Sequence, residues 1–515
     1  MATPAEKIAD ALEKMNAAEQ DGIVRASSLT RTYLSRLVKT EFLQPVLRGW
    51  YFVTTPAAAA PGSTAWYGHY WSFLRQYLEA RFGDTYCLLP EASLHLLTGV
   101  TTIPRQLALM QKKPGQQILK LPLGTSLYIY QDRSSFPKQT TLMDSIRVME
   151  LAEALQRVPE AYFRSSPDEA ALALRLVRDP TPLLRDLLEN GRSVVAGRLA
   201  GAFRQVGDEA TANRILQTLR SAGYDVREVN PFAAPVLPAP QTVRTTSPYV
   251  ARLHAMWAKH RDVVEDIFPL APGKPENAEQ FLLRADETYV QDAYHSLSIE
   301  GYRVSPELIE KIRRGSFDPE SGMAEDKSSA DALAARGYLE AFNAVKTSVT
   351  RIISGEQAAV VLRADHPLWY QALFAPSVQA GLLPATALAG YRAGQVYIRG
   401  SRHVPLPAHA VSDAMDALFT LIGDEENVAV QAVLGHFLFV FIHPYSDGNG
   451  RIARFLMNAL FASGGYPWTI VHVENRSPYM TALEAASVDS DIAPFAGCIR
   501  SEMEQREKGK ADRSG

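Results

Sequence analysis

Apolar positions recur at helical spacing from the start of the chain, where Ile8, Leu12 and Met15 share one face of residues 5–19. A second short apolar-periodic stretch covers 23–29. In 30–42, Tyr33, Leu34, Leu37 and Val38 again fall on one face. Residues 43–54 then alternate and are rich in Val, Tyr, Trp and Phe, with Gly49 at the turn. Three short helices followed by a β-ribbon predict a winged helix-turn-helix over residues 1–60. Residues 61–235 mix short apolar strands (118–121 and 126–130) with helices (172–178 and 212–222), an α/β pattern. Within them, 193–232 reads as helix, turn, helix, strand.

Pro231, Pro235, Pro238, Pro240 and Pro248 punctuate a run rich in Ala, Thr and Ser, which marks a linker at 236–248. From 249 to 505 the pattern is mostly helical. It predicts helices over 248–267, 277–296, 305–314, 329–353, 408–421, 427–442, 451–462 and 479–503. The exception is 388–403, whose alternation and glycines predict a β-hairpin. The charged end, 506–515, predicts a frayed tail. The fold class is therefore multidomain α+β.

A length of 515 residues allows about three domains. With 46% hydrophobic and 21% charged residues, global disorder and collagen are excluded. Lys and Arg total 53 against 56 Asp and Glu, so no bulk charge drives binding to nucleic acid or membrane. Locally, Arg25, Arg31, Arg36, Lys39 and Arg48 outnumber Asp21 and Glu41, which suits phosphate contacts on DNA. A solvated face of an ordinary small helical domain accounts for the same excess. Two cysteines, Cys87 and Cys498, exclude a disulfide framework and a cysteine-rich metal site. The first residues lack the apolar core of a signal peptide, and the apolar stretch at 437–442 is too short to span a bilayer. The expectation is a cytoplasmic protein with no membrane partner.

The chemistry concentrates in FIHPYSDGNGRIAR, residues 441–454. An apolar helix should end at His443, because Pro444 disfavours helical geometry in the residue before it. A new helix should start near Arg451, with its free amides and positive dipole end facing a loop of Asp447, Gly448, Asn449 and Gly450. Such an end binds phosphate, and glycines let a ligand approach the backbone. Arg451 and Arg454, three apart, can reach one anion. Asp447 offers a hard oxygen for Mg²⁺, and His443 suits a general base. A zinc site from His436, His443 and Asp447 is the weaker alternative, and no P-loop occurs anywhere in the sequence.

This string resembles the Fic signature HPFx[DE]GNGRxxR. It matches at His443, Pro444, Asp447, Gly448, Asn449, Gly450, Arg451 and Arg454, with Tyr445 in place of Phe. A loop-anchoring ring tolerates the added hydroxyl if it reaches the surface. The resemblance spans residues 245–505 and implies a mostly helical fold. It also implies an adenylyltransferase that moves AMP from ATP to a Ser, Thr or Tyr hydroxyl of an unidentified target protein. His443 would then be the base and Asp447 the Mg²⁺ ligand. Gly448, Asn449 and Gly450 would form the anion hole, Arg451 would hold the phosphates, and Arg454 would grip the γ-phosphate. Gly450 separates this pattern from Doc-type kinases, which carry lysine there.

Two further stretches agree with the resemblance. Gln395, Val396, Tyr397, Ile398 and Gly400, in QVYIRGSRHVPLP, resemble the flap that takes a target peptide as an added strand. Ser296, Glu300 and Gly301, in SLSIEG, match the inhibitory motif [ST]xxxE[GN], whose glutamate pairs with the second arginine of the signature. That implies an auto-inhibited enzyme. Removal of AMP assisted by Glu300 stays open as a rival activity. So does a transcriptional regulator whose Fic half senses nucleotide. Residues 1–230 loosely resemble an AbiEi-type antitoxin region, in which a winged helix precedes an α/β domain, a toxin–antitoxin arrangement that binds operator DNA. The reading allows a homodimer without requiring one.

Overall fold

The computed structural model describes residues 3–56, 65–112, 115–132, 134–234, 247–315 and 326–511. The chain forms two compact units. The first is Met1–Arg252 with Val396–Val404, and the second is Leu253–Gln395 with Pro405–Gly515. Most of the expected linker at 236–248 lies outside the described residues.

The first unit opens with α1 (Pro4–Ala18). Thr3 accepts from the Glu6 amide, and the Glu6 carboxylate accepts from the Thr3 amide, which satisfies two orphan donors at once. Strand β1 (Ile23–Arg25), helix α2 (Arg31–Lys39) and strands β2 (Leu43–Leu47) and β3 (Trp50–Val53) follow. The strands make an antiparallel sheet in the order β1-β3-β2. The stretch 23–29, expected to be a helix, is a strand followed by one 3₁₀ turn (Ala26–Ser28). Ile23 and Val24 are both buried and pair with Phe52 and Tyr51, so burial on both faces had imitated a helical period. Ala11, Met15, Val24, Leu37 and Leu43 close a small core between helices and sheet.

Next come α3 (Ala65–Phe82), β4 (Tyr86–Leu88), α4 (Pro90–Leu97), β5 (Gln106–Gln111), β6 (Gln117–Lys120), β7 (Ser126–Gln131), β8 (Thr140–Met143) and β9 (Ile146–Met149). A four-stranded sheet has the order β4-β5-β7-β6, with β5 and β7 parallel, and β8 and β9 form a hairpin. The helical remainder is α5 (Leu151–Arg157), α6 (Glu160–Ser165), α7 (Pro167–Arg175), α8 (Thr181–Glu189), α9 (Ser193–Gln205) and α10 (Glu209–Ser221). The strand expected after α10 is absent. Residues 225–232 instead lie along α9, where the Val229 amide donates to the Gly197 carbonyl at 3.1 Å. A β-carbon on Gly197 or Gly201 would stand 1.9 Å from the Arg227 carbonyl oxygen or 2.2 Å from that of Val229. The backbone that a ladder would need is thus taken up against a helix.

The second unit contains α11 (Pro248–Ile267, its first turn counted with the first unit), α12 (Ala278–Asp286), α13 (Tyr289–Ile299), α14 (Pro306–Arg313), α15 (Asp326–Ile353) and α16 (Ala358–Gln379). It continues with α17 (Val411–Asp424), α18 (Val428–Ile442), α19 (Asn449–Ser463), α20 (Arg476–Glu484) and α21 (Ala493–Ala511). The single helix expected over 277–296 is two, α12 and α13. The Thr288 hydroxyl donates to the Ala285 carbonyl where they part. The expected 479–503 helix is divided by a π turn, Ala485–Asp489, that ends on Ser490 at φ 58°. The α21 backbone runs helical to Ala511, into the stretch expected to fray. Helix α16 escaped the sequence reading because Pro367 and Pro376 stand inside it. It packs against α15, α17 and α19. Helix α18 is apolar on all sides and accordingly buried.

Residues 388–403 contain no strand, so the expected hairpin is not formed. Of the apolar side chains whose alternation suggested it, Val396, Tyr397 and Ile398 are half-buried and Tyr391 is exposed. Tyr397 packs against the core of the first unit, and Val404 is 3% exposed within it. The Gln395 side chain, not a backbone ladder, reaches the Pro405 carbonyl at 2.8 Å. Among the described residues no helix is long and apolar enough to cross a membrane.

Candidate functional site

Helix α18 ends on His443, which takes the left-handed conformation, φ 56° and ψ 61°, while its amide still donates to the Phe439 carbonyl at 2.9 Å. Such a residue with a β-carbon costs roughly 1–2 kcal/mol. It turns the chain sharply out of the helix ahead of Pro444. Nδ1 of His443 lies 3.1 Å from the Val440 carbonyl oxygen, an acceptor. The ring proton is therefore on Nδ1, and Nε2 carries the free lone pair. Burial pushes the imidazole down to about 4, so it is neutral at physiological pH.

The loop that follows is closed by Asn449. Its Oδ1 accepts from the Tyr445 amide at 2.9 Å, and its Nδ2 donates to the Tyr445 carbonyl at 2.8 Å. Tyr445 does not send its hydroxyl to the surface. The residue is fully buried, its ring stacks on Tyr370 of α16 at 3.8 Å, and the hydroxyl has no hydrogen-bond partner among the described residues. Gly448, at φ 80°, caps α19, and a β-carbon there would meet the Phe374 ring at 2.7 Å. The first intrahelical bond of α19 runs from Ile452 to Gly448. The amides of Asn449, Gly450 and Arg451 are thus the orphan donors of the helix start. Asp447 is solvent-exposed; its Oδ1 accepts from the Gly448 amide at 2.6 Å, and its Oδ2 lies 3.4 Å from Arg451.

The two arginines of the loop differ in how they are held. Arg451 is 1% exposed and sits between two rings, with its guanidinium 5.1 Å from both Tyr302 and Phe374. Its Nε and Nη2 make no hydrogen bond among the described residues, although Nη2 is the atom near Asp447. Arg454, also buried, is engaged through Nε and Nη2. Its Nε donates to the Ser296 hydroxyl at 2.9 Å. Nη2 donates to the Ser296 carbonyl at 3.2 Å and to Glu300 Oε1 at 2.8 Å.

Glu300 caps α13, and Gly301 follows at φ 93°. The amides of Gly301 and Tyr302 donate back to Ser298 and Leu297, so an ordinary helix end also aims the carboxylate. Burial opposes ionisation of Glu300, but Arg454 and Arg451 outweigh it and hold the carboxyl below its usual range. The same pairing overcomes the burial of Arg454 and keeps its guanidinium charged. A β-carbon on Gly450 would stand 2.5 Å from Glu300 Oε1. The carboxylate therefore occupies the space that the missing side chain leaves beside the orphan amides.

Of the residues named from sequence, His443, Asp447, Gly448, Asn449, Gly450, Arg451, Arg454, Ser296, Glu300 and Gly301 meet around this loop. The zinc alternative fails: the nitrogens of buried His436 face Tyr479 Oη at 2.8 Å and Met457 Sδ at 3.3 Å. No cluster of three potential metal ligands occurs among the described residues. The flap residues Val396, Tyr397, Ile398 and Gly400 belong to the first unit, and Gln395 to the second. Arg25 stacks on Trp50 at 4.7 Å, and Arg36 donates to the Lys7 carbonyl at 2.7 Å, whereas Arg31, Lys39 and Arg48 are exposed. The sequence reading missed Tyr302, Phe374, Tyr370 and Arg392. Only Tyr302, two residues beyond Glu300, carried a local signal.

The Fic/DOC family profile matches residues 369–461. A protein adenylyltransferase Fic from Nematostella vectensis is 32% identical over 223 residues, 41% of this chain and 45% of that protein. One from Culex quinquefasciatus is 28% identical over 246 residues, 47% of this chain and 44% of its own length. The chain thus spans less than half the length of these curated relatives. Among solved structures, Fic-1 (residues 134–508) from Caenorhabditis elegans aligns over 68% of this chain and 99% of that one, at 18% identity and a TM-score of 0.38. The stretch that matches the Fic/DOC family, residues 369–461, thus holds the signature loop and its flanking helices.

Proposed function

We propose that the chain is an auto-inhibited protein adenylyltransferase. The observation that carries this reading is the Glu300–Arg454 pair seated over Gly450, beside a complete signature loop. In the active state the ATP phosphates lie against the amides of Asn449, Gly450 and Arg451, with Arg451 and a released Arg454 matching their charge. Nε2 of His443 takes the proton of the target hydroxyl. The oxygen bonds to the α-phosphorus, and the bond to the pyrophosphate oxygen breaks. The exposed Asp447 carboxylate fits Mg²⁺, which binds through one or two carboxylates plus substrate phosphates and would neutralise phosphate charge. While Glu300 holds Arg454, the γ-phosphate has no cation to meet.

Removal of AMP is a second reading, supported by Glu300 being held ionised next to the anion site, where a carboxylate can activate water. In the first unit, α1, α2 and the three-stranded sheet, with Arg31, Lys39 and Arg48 exposed, support an operator-binding winged helix.

The test is incubation of wild type, Glu300→Gly and His443→Ala with α-labelled ATP and Mg²⁺. Label on Glu300→Gly, weak label on wild type and none on His443→Ala is the expected pattern. Equal label on wild type and Glu300→Gly defeats the inhibitory reading. Label on His443→Ala defeats the catalytic one.

A further inference from the structure

The carbonyls at the end of α18 converge on one side chain that the signature does not include. Arg392 is 5% exposed, and among the described residues its guanidinium meets carbonyl oxygens only. Nε donates to the His443 carbonyl at 2.8 Å, and Nη2 donates to those of Leu406 and, at 3.4 Å, Ile442. Nη1 donates to the Gly394 carbonyl at 2.9 Å, and the Arg392 amide donates to the Pro444 carbonyl at 2.9 Å. Three successive carbonyls, at 442, 443 and 444, are thus fixed by one residue, and the middle one belongs to the left-handed His443.

A buried guanidinium without a carboxylate is unusual, because burial penalises the unpaired charge. Here the C-terminal end of α18 supplies the compensating negative pole, since its last carbonyls have no intrahelical partners. The fork geometry also matters. Five N–H donors in a rigid plane can hold several carbonyls at set angles, which an ammonium cannot do. Gly394 and Leu406 both belong to the second unit, so one guanidinium ties these two points of its backbone to the turn carrying the imidazole.

We infer that Arg392 is a positioning residue for the reaction: it locks the left-handed turn at His443 and fixes the backbone at Gly394 and Leu406 to that turn. This rests on His443 being the base. The positive charge beside the helix end also opposes protonation of His443. Removing that charge should therefore ease protonation, an effect that a purely structural role would not produce.

The experiment uses the full chain in the Glu300→Gly background, with Arg392→Met, Arg392→Lys and His443→Ala added singly. Two readouts are taken: labelling from α-labelled ATP, and titration of the His443 ring by NMR of histidine-labelled protein, assigned by its loss in His443→Ala. In Arg392→Met, kcat should fall by about 100-fold with KM for ATP within about twofold, the loss expected when a catalytic group is misplaced by about 1 Å. The His443 titration should move to higher pH. Arg392→Lys should return the titration toward the parent, because charge is kept, and recover only part of kcat, because the fork is lost. Melting curves check that each variant folds. An unchanged His443 titration in a folded Arg392→Met, or parent-like kcat, overturns the inference. Label on His443→Ala overturns the underlying reading instead, and the titration still judges Arg392 on its own.

Discussion

Tyr445→Phe should stabilise the second unit. The ring of Tyr445 is fully buried and stacks on Tyr370 at 3.8 Å with an interplanar angle of 4°, and phenylalanine keeps that stack. The hydroxyl is another matter, because it is buried with no hydrogen-bond partner among the described residues. A polar group left unsatisfied in this way costs about 1–3 kcal/mol. Deleting one oxygen also leaves a small void, which takes back part of the gain. The net expectation is about 1 kcal/mol of added stability, or about 2–4 °C in Tm for a unit of this size. Differential scanning calorimetry of the full chain, following the transition of the second unit, measures it. Tyr445→Ala is the control and should cost about 3–5 kcal/mol, because the stack is lost. The loop itself should hold in Tyr445→Phe, since Asn449 grips only backbone atoms of residue 445. A lower Tm for Tyr445→Phe would refute the reasoning and place a partner on the hydroxyl.

Three other outcomes are expected. Gly201→Ala should destabilise the first unit by more than about 3 kcal/mol in a chemical unfolding curve, because the new methyl would stand 2.2 Å from the Val229 carbonyl oxygen and backbone would have to move. Pairing with Glu502 at 2.6 Å raises the His472 imidazole. The stability it adds is full below about pH 6.5 and fades as the pH rises through the raised value. The margin of wild type over His472→Gln should therefore shrink toward alkaline pH, and a pH-independent margin counts against the pairing. Changing Arg31, Lys39 and Arg48 together to Ala should weaken any operator shift in a mobility assay and flatten its salt dependence, whereas an unaltered shift removes α2 and the β2–β3 turn from the proposed contact with DNA.

The loop at 443–450 was legible because each of its causes is local. Pro444 ends one helix, Gly448 permits the cap of the next, and Asn449 reaches only four residues back. Glu300 was legible for a different reason: a spacing of four on one helix turn puts Ser296 and Glu300 on one face, and both meet Arg454. The partners of Arg451 were not legible. Phe374 stands on a helix that two prolines disguise, and nothing near it in the chain points to Arg451. The hairpin failed instructively. Alternation records partial burial, and Tyr397 is indeed half-buried, but against side chains of the first unit's core and not across a ladder. Likewise Arg25 and Arg36 counted toward a basic face, yet one stacks on Trp50 and the other holds α1.

The Glu300–Arg454 pair also bears on stability. Arg454 is 4% exposed in an apolar bundle, and Glu300 is its only anionic partner among the described residues. Removing that partner leaves a buried guanidinium with no anionic partner among the described residues, which costs about 3–5 kcal/mol for a fully buried pair. The low end applies here because the Glu300 side chain keeps 27% of its exposure. Glu300→Gly should therefore melt roughly 6–12 °C below wild type without nucleotide. A phosphate that replaces the carboxylate restores the pairing, so Mg²⁺-ATP should raise the melting temperature of Glu300→Gly far more than that of wild type. Saturation at about 100 times Kd returns about 2.7 kcal/mol, close to the whole deficit. Differential scanning fluorimetry with and without Mg²⁺-ATP reads both effects. Equal melting of the two proteins without nucleotide, or equal shifts with it, would mean that Arg454 does not depend on Glu300, and that the carboxylate is not standing in for a phosphate.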